Sequence, residues 1–134
     1  MQLLLLLSAV AGYVLAGPVE TTVHTDGHDY KVVCYYGSWA VYRPGDGKFP
    51  VEEIDPFVCT HLIYGFPGLG HNNRIKSLDS WNDLKDNYGK GAFERFTTGL
   101  KAKNPKLKTL IAIGGWNEGS MKYSAMAESA VTRK

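Results

Sequence analysis

The sequence predicts an α/β fold in which short parallel strands alternate with helices. Residues 31–36 (Lys-Val-Val-Cys-Tyr-Tyr), 61–66 (His-Leu-Ile-Tyr-Gly-Phe) and 109–113 (Thr-Leu-Ile-Ala-Ile) are near-continuous apolar runs of strand length, each followed by glycine or a Gly-Pro cluster. Runs of this kind, apolar throughout rather than alternating, fit strands buried on both faces in a parallel sheet covered by helices. Between the second and third runs, residues 92–103 place Phe93, Phe96 and Leu100 at the i, i+3, i+7 spacing of one helix face. A further helix begins over 123–131, so the order is that of a βαβ series.

The elements follow in order. Residues 1–16 open with an apolar stretch from Leu3 to Leu15, shorter than the roughly 20 residues of a membrane-spanning helix. It ends in the small residues Val14 and Ala16 before Gly17 and Pro18, the pattern of a cleaved secretory signal, although no Lys or Arg precedes it. The mature protein is thus expected outside the cell, with no membrane attachment after cleavage. Residues 17–30 are polar and show neither a period of 2 nor one of 3.6, so they read as an N-terminal extension. His24 and His28 have a spacing that could clamp a metal on a helix, but Gly27 and the polar surroundings argue against a helix, and solvated loop histidines are the expectation.

Residues 31–134 form the domain proper. Cys34 and Cys59 are an even pair in a chain expected in an oxidising compartment, which predicts a bridge between them. A zinc site would want a Cys-x-x-Cys pair, and a nucleophilic thiol a supporting context; neither is present. Pro44, Gly45 and Gly47, then Pro67, Gly68 and Gly70, mark loops after the first two strands. In the helix, Glu94, Arg95, Lys101 and Lys103 fall largely opposite the apolar face. The last two suit the negative end of the helix dipole, and Pro105 stops it.

Composition and length exclude several classes. Fifteen Lys and Arg against 13 Asp and Glu give a net charge of +2, well mixed along the chain, so no basic stripe points to nucleic acid. With 134 residues the chain is too short for a complete (β/α)8 barrel of about 250 residues. No phosphate-binding glycine loop is in register, and no cofactor is expected.

In parallel α/β architectures ligands meet the loops beyond the carboxyl ends of the strands. Those ends are aromatic here: Tyr35 and Tyr36 with Trp39 and Tyr42 behind them, Tyr64 and Phe66, then Trp116, with Trp81 in the second loop. Aromatic side chains with polar tips suit pyranose rings, whose C–H faces are apolar and whose edges carry hydroxyls. Tyr64 is expected in the core, whereas Trp39, Trp81 and Trp116, in glycine-rich or polar surroundings, are expected to touch ligand. Gly114 and Gly115 allow a sharp turn and close approach of backbone to a ligand.

Three ordered motifs carry a family resemblance: Cys34-Tyr-Tyr-Gly-Ser-Trp39, Cys59-Thr-His-Leu-Ile-Tyr-Gly-Phe66 and Lys108-Thr-Leu-Ile-Ala-Ile-Gly-Gly-Trp-Asn117. From about residue 31 to the end the chain resembles the opening third of the family 18 glycoside hydrolases, the chitinases and chitinase-like lectins, with Ala112 where the family's third-strand pattern has serine. The resemblance implies the N-terminal part, about three strands, of a (β/α)8 barrel, and a cysteine pair equivalent to the family's first disulfide. It also implies a groove for chitin or chitooligosaccharides touched by Tyr35, Trp39, Phe66, Trp81, Gly114, Gly115, Trp116 and Asn117. In that family the substrate acetamido group attacks the anomeric carbon while a glutamic acid protonates the leaving oxygen. The acid belongs to an Asp-Gly-x-Asp-x-Asp-x-Glu run on the fourth strand, and no such run occurs in these 134 residues. No catalytic residue is therefore assigned. Glu118, at a strand end, lacks the orienting aspartates and is read as a loop residue. The expectation is the N-terminal fragment of a secreted, monomeric chitinase, inactive by itself, or else a non-catalytic chitin-binding lectin.

Overall fold

A computed structural model describes residues 30–133; the apolar leader and most of the polar extension, with His24 and His28, lie outside the described residues. The fold begins with β1 (Val33–Gly37), followed by short 3-10 turns at Ser38–Tyr42, Gly45–Gly47 and Val51–Glu53, then β2 (His61–Gly65). In the loop after β2, β3 (Gly68–Leu69) and β4 (Ile75–Lys76) pair as a small antiparallel hairpin where the sequence suggests only a loop. Next come α1 (Ser80–Asp83) and a helix in three parts: α2 (Ala92–Glu94), a π turn (Arg95–Gly99) and α3 (Leu100–Lys103). The third parallel strand, β5 (Lys108–Ala112), leads through a 3-10 turn (Trp116–Glu118) to α4 (Met121–Glu128).

The main sheet has the order β1-β2-β5, all parallel. Tyr35 lies opposite Ile63, and Ile63 opposite Leu110. One residue on, Tyr36, Tyr64 and Ile111 form the next row, directed to the other face. That second face carries the core. Tyr36, Leu62 and Tyr64 pack with Phe96, Leu100 and Leu107. Tyr64 is fully buried, as the sequence suggests, and meets Phe96 and Phe93 edge-on at 5.1 and 4.9 Å.

Burial on both faces holds only in part. Val33 and Tyr35 of β1 are 52% and 65% exposed, and Leu110 and Ile111 of β5 are 45% and 44% exposed. Hydrophobicity measures what a strand can bury, whereas burial requires neighbours. β2 has a strand on each side, but among the described residues no strand pairs with the outer edge of β1 or of β5.

The helix over 92–103 forms as its periodicity predicts, with one irregularity. Ala92, Phe96 and Leu100 are the buried positions, each four residues apart. Eight residues overshoot two turns of 3.6, and the π turn takes up the surplus so that all three stay on the core side.

The four residues of α1 are too few to form a helix on propensity, and a polar network holds them. Asp83, 2% exposed, accepts hydrogen bonds from the Tyr64 hydroxyl to Oδ1 and the Ser77 hydroxyl to Oδ2, each 2.5 Å, and Asn82 Nδ2 donates to the Tyr64 oxygen at 3.3 Å. Asp79 Oδ1 caps the helix by accepting from the Asn82 amide at 3.1 Å, while its Oδ2 accepts from the Tyr42 hydroxyl. The predicted disulfide joins Cys34 in β1 to Cys59 just before β2, with the Cα atoms 6.1 Å apart.

Two core tyrosines give the fold a pH dependence. Burial first, then the nearby Glu52 charge, pushes the Tyr36 hydroxyl up to about 12; burial and the hydrogen bond to Asp83 raise Tyr64 further. Each stays protonated in the fold after it has ionised in the unfolded chain at about pH 10, so the stabilisation is complete below pH 10 and is lost as pH climbs from there. The denaturant midpoint is expected to fall steadily above pH 10, with a shallower fall in Tyr64→Phe. A midpoint constant up to pH 12 would contradict this account.

Candidate functional site

The carboxyl ends of β1, β2 and β5 converge on one groove. β1 ends at Gly37, and the turn that follows folds the Trp39 indole back over the strand end. A Cβ on Gly37 would sit 2.8 Å from the indole ring, so only glycine leaves room. β2 ends at Gly65, and the Gly65–Phe66 peptide is cis. The Phe66 ring lies nearly parallel to Trp39, 12° between planes and 6.0 Å between centroids, with the Tyr35 ring at 6.5 Å on a tilt. Beyond β5, Gly114 and Gly115 adopt φ of +105° and +94°, values that L side chains rarely take. A Cβ on Gly115 would come within 3.0 Å of Phe66, and the Gly114 amide donates to the Pro67 carbonyl at 3.0 Å, which locks the third strand end against the loop from the second.

The result is a groove of about 430 Å³ lined by Ser38, Trp39, Phe66, Leu78, Gly114, Gly115, Trp116 and Asn117. Trp39 is half exposed and Trp116 almost wholly so, at 99%. Flat apolar faces beside an amide and open backbone are the inventory of a carbohydrate site. Among the described residues no group of three or more His, Cys, Asp or Glu could hold a metal ion, and no helix is long and apolar enough to cross a membrane.

Six residues singled out in the sequence come together here: Trp39, Phe66, Gly114, Gly115, Trp116 and Asn117. Tyr35 stands beside Phe66 on the open sheet face without lining the groove. Trp81 is outside the lining. It sits in α1, half exposed, with the Lys90 ammonium 4.2 Å from its ring centroid. Ser38 and Leu78 line the groove although sequence reasoning passed over them. Ser38 lies inside the first motif, so position could have found it; nothing in the residues around Leu78 marks it.

Glu118 is held as a carboxylate. Its Oε2 pairs with the Lys122 ammonium and accepts from the Leu69 amide and the Tyr123 hydroxyl, each at 3.1 Å. Lys122 foremost, with the other two donors, keeps its carboxyl below the usual range against a smaller opposing effect of burial. An acid so arranged does not hold a proton to give at neutral pH.

The sequence pattern of the glycosyl hydrolases family 18 matches residues 31–134. The chain belongs to that family. Within family 18 it is 48% identical over 132 residues to a probable chitinase 2 of Drosophila melanogaster, an alignment covering 98% of this chain and 27% of the relative. The crystal structure of Ostrinia furnacalis Group IV chitinase superposes with a TM-score of 0.70 at 50% identity, over 78% of this chain and 27% of that one. Human YKL-39, described as a pseudo-chitinase with retained chitooligosaccharide binding, superposes with a TM-score of 0.64 at 38% identity, over 78% of this chain and 26% of its own. The chain thus spans about a quarter of the length of these family 18 relatives, and its three parallel strands are part of a (β/α)8 barrel.

Proposed function

We propose that the groove binds chains of β-1,4-linked N-acetylglucosamine, and that this chain is the N-terminal portion of a secreted chitinase. The reading is carried by the near-parallel Trp39 and Phe66 rings at the strand ends, with Trp116 and Asn117 beside them. Trp39 and Trp116 offer faces for pyranose rings to stack on. Asn117 and the backbone at Gly114 and Gly115 offer hydrogen bonds to hydroxyl or acetamido groups, and Tyr35 backs Phe66. Trp81, once Lys90 moves off its ring, would serve a sugar farther along the chain. The names of the Drosophila and Ostrinia relatives, and the Ostrinia enzyme's complex with allosamidin, support chitin as the substrate class. The Cys34–Cys59 bridge supports an oxidising, extracellular destination.

Hydrolysis in such an enzyme would be substrate-assisted, with the acetamido oxygen attacking the anomeric carbon as a glutamic acid protonates the leaving oxygen. The run that would supply this acid is not within these 134 residues, and Glu118, ionised and tied to three donors, does not replace it. The chain therefore binds without turning over. The alternative, a non-catalytic chitin-binding lectin, draws support from the likeness to YKL-39.

Both readings are tested by retention on chitin beads, titration with N-acetylglucosamine hexamer and a fluorogenic chitobioside assay. Saturable binding with a change in tryptophan fluorescence and no turnover is expected. Trp39→Ala should weaken binding roughly 5- to 30-fold, the equivalent of about 1–2 kcal/mol for one stacked ring. No binding by the folded wild type would sink the groove assignment, and turnover would sink the assignment of the acid.

A further inference from the structure

Trp116 and Asn117 are the most exposed part of the groove wall, and something other than their own packing has to set where they point. They leave β5 through two glycines in the left-handed region and sit in a single 3-10 turn, whose own closure is one hydrogen bond, from the Glu118 amide to the Gly115 carbonyl at 3.2 Å. The last residue of that turn is anchored far more strongly. Glu118 Oε2 takes the Leu69 amide from the β3–β4 hairpin together with the Tyr123 hydroxyl and Lys122 ammonium from α4. The hairpin is shaped to receive it. Gly68, buried, lies where any Cβ would collide with the Glu118 carboxylate and come within 2.7 Å of the Leu78 side chain. Leu78 in turn lines the groove. One carboxylate thus ties the turn bearing Trp116 and Asn117 to the loop bearing Leu78, and the missing Cβ of Gly68 is what permits the contact.

We propose that Glu118 is a positioning residue of the groove, fixing Trp116 and Asn117 relative to the Leu78 wall without touching the ligand. The assignment rests on the sugar-binding reading for its effect on affinity, but not for its effect on the turn.

The test uses the full chain with three substitutions, read by titration with N-acetylglucosamine hexamer and by backbone amide exchange. Glu118→Ala removes the acceptor and is expected to weaken binding about ten-fold and to speed exchange at residues 68–70 and 114–118, with β1 and β2 unchanged. Glu118→Gln keeps a carbonyl oxygen for Leu69 and Tyr123 and loses only the partly exposed Lys122 pair, so binding within about two-fold of wild type is expected. Gly68→Ala leaves Glu118 intact yet denies it room, and should reproduce the effects of Glu118→Ala. Unchanged exchange at 114–118 in Glu118→Ala would overturn the proposal whether or not sugar binds. So would a Glu118→Gln protein as weak as Glu118→Ala, since that points to the charge acting on ligand directly. Faster exchange in a protein whose wild type ignores the sugar would uphold the positioning role and sink the sugar-binding reading instead.

Discussion

Asp83→Ala is expected to destabilise the protein by about 3–5 kcal/mol, enough to threaten folding of a domain of ordinary stability. Asp83 is 2% exposed and takes the Tyr64 hydroxyl on one oxygen and the Ser77 hydroxyl on the other. Hydrogen bonds to a charged acceptor are worth about 1.5–3 kcal/mol each, and truncation leaves the Tyr64 hydroxyl buried without its acceptor. The same change removes the buried anchor of α1 and leaves its four residues held by the Asp79 cap and by the Lys90 amide, which donates to the Trp81 carbonyl at 2.7 Å. Urea denaturation of Asp83→Ala, Tyr64→Phe and the double variant measures the effect. The double variant should lose clearly less than the two single losses added, because Tyr64→Phe removes the hydroxyl that Asp83→Ala strands. Additive losses would mean that the two groups do not act as a pair.

Removing the bridge with paired Cys34→Ser and Cys59→Ser substitutions is expected to cost roughly 3–4 kcal/mol. The two cysteines are 25 positions apart, and the cross-link acts mainly by restricting the unfolded chain. It also holds β1, the outer strand with its exposed Val33 and Tyr35, to the segment leading into β2. The denaturant midpoint should drop while sugar affinity under native conditions stays near wild type, since the groove lies at the opposite ends of these strands. A loss below about 1 kcal/mol would show that the reduced, unfolded chain already holds the two cysteines close.

What the sequence revealed was local, or lay in runs with a period. Three apolar runs, the Phe93–Phe96–Leu100 spacing and the aromatic residues just past each strand end all depend on neighbours within a dozen positions. Those elements and six groove residues were accordingly readable. The Asp83 network joins residues 19 positions apart, Tyr42 and Asp79 are 37 apart, and Glu118 meets the Leu69 amide across 49. No local pattern announces such partners. Gly68 reads as one more loop glycine until the carboxylate beside it is seen. The exposed faces of β1 and β5 were hidden for another reason: an apolar run looks the same whether or not anything packs against it.

The π turn makes residue count, rather than residue type, the quantity its helix must keep. Adding one more residue between Phe96 and Leu100 would exceed the surplus that a single π turn absorbs and swing Leu100 about 100° off the core. Exposed Thr97, Thr98 and Gly99, by contrast, have no core contact to lose by exchange. Across variants of this chain, the segment is therefore one in which the amino acids are free to drift and the length cannot grow.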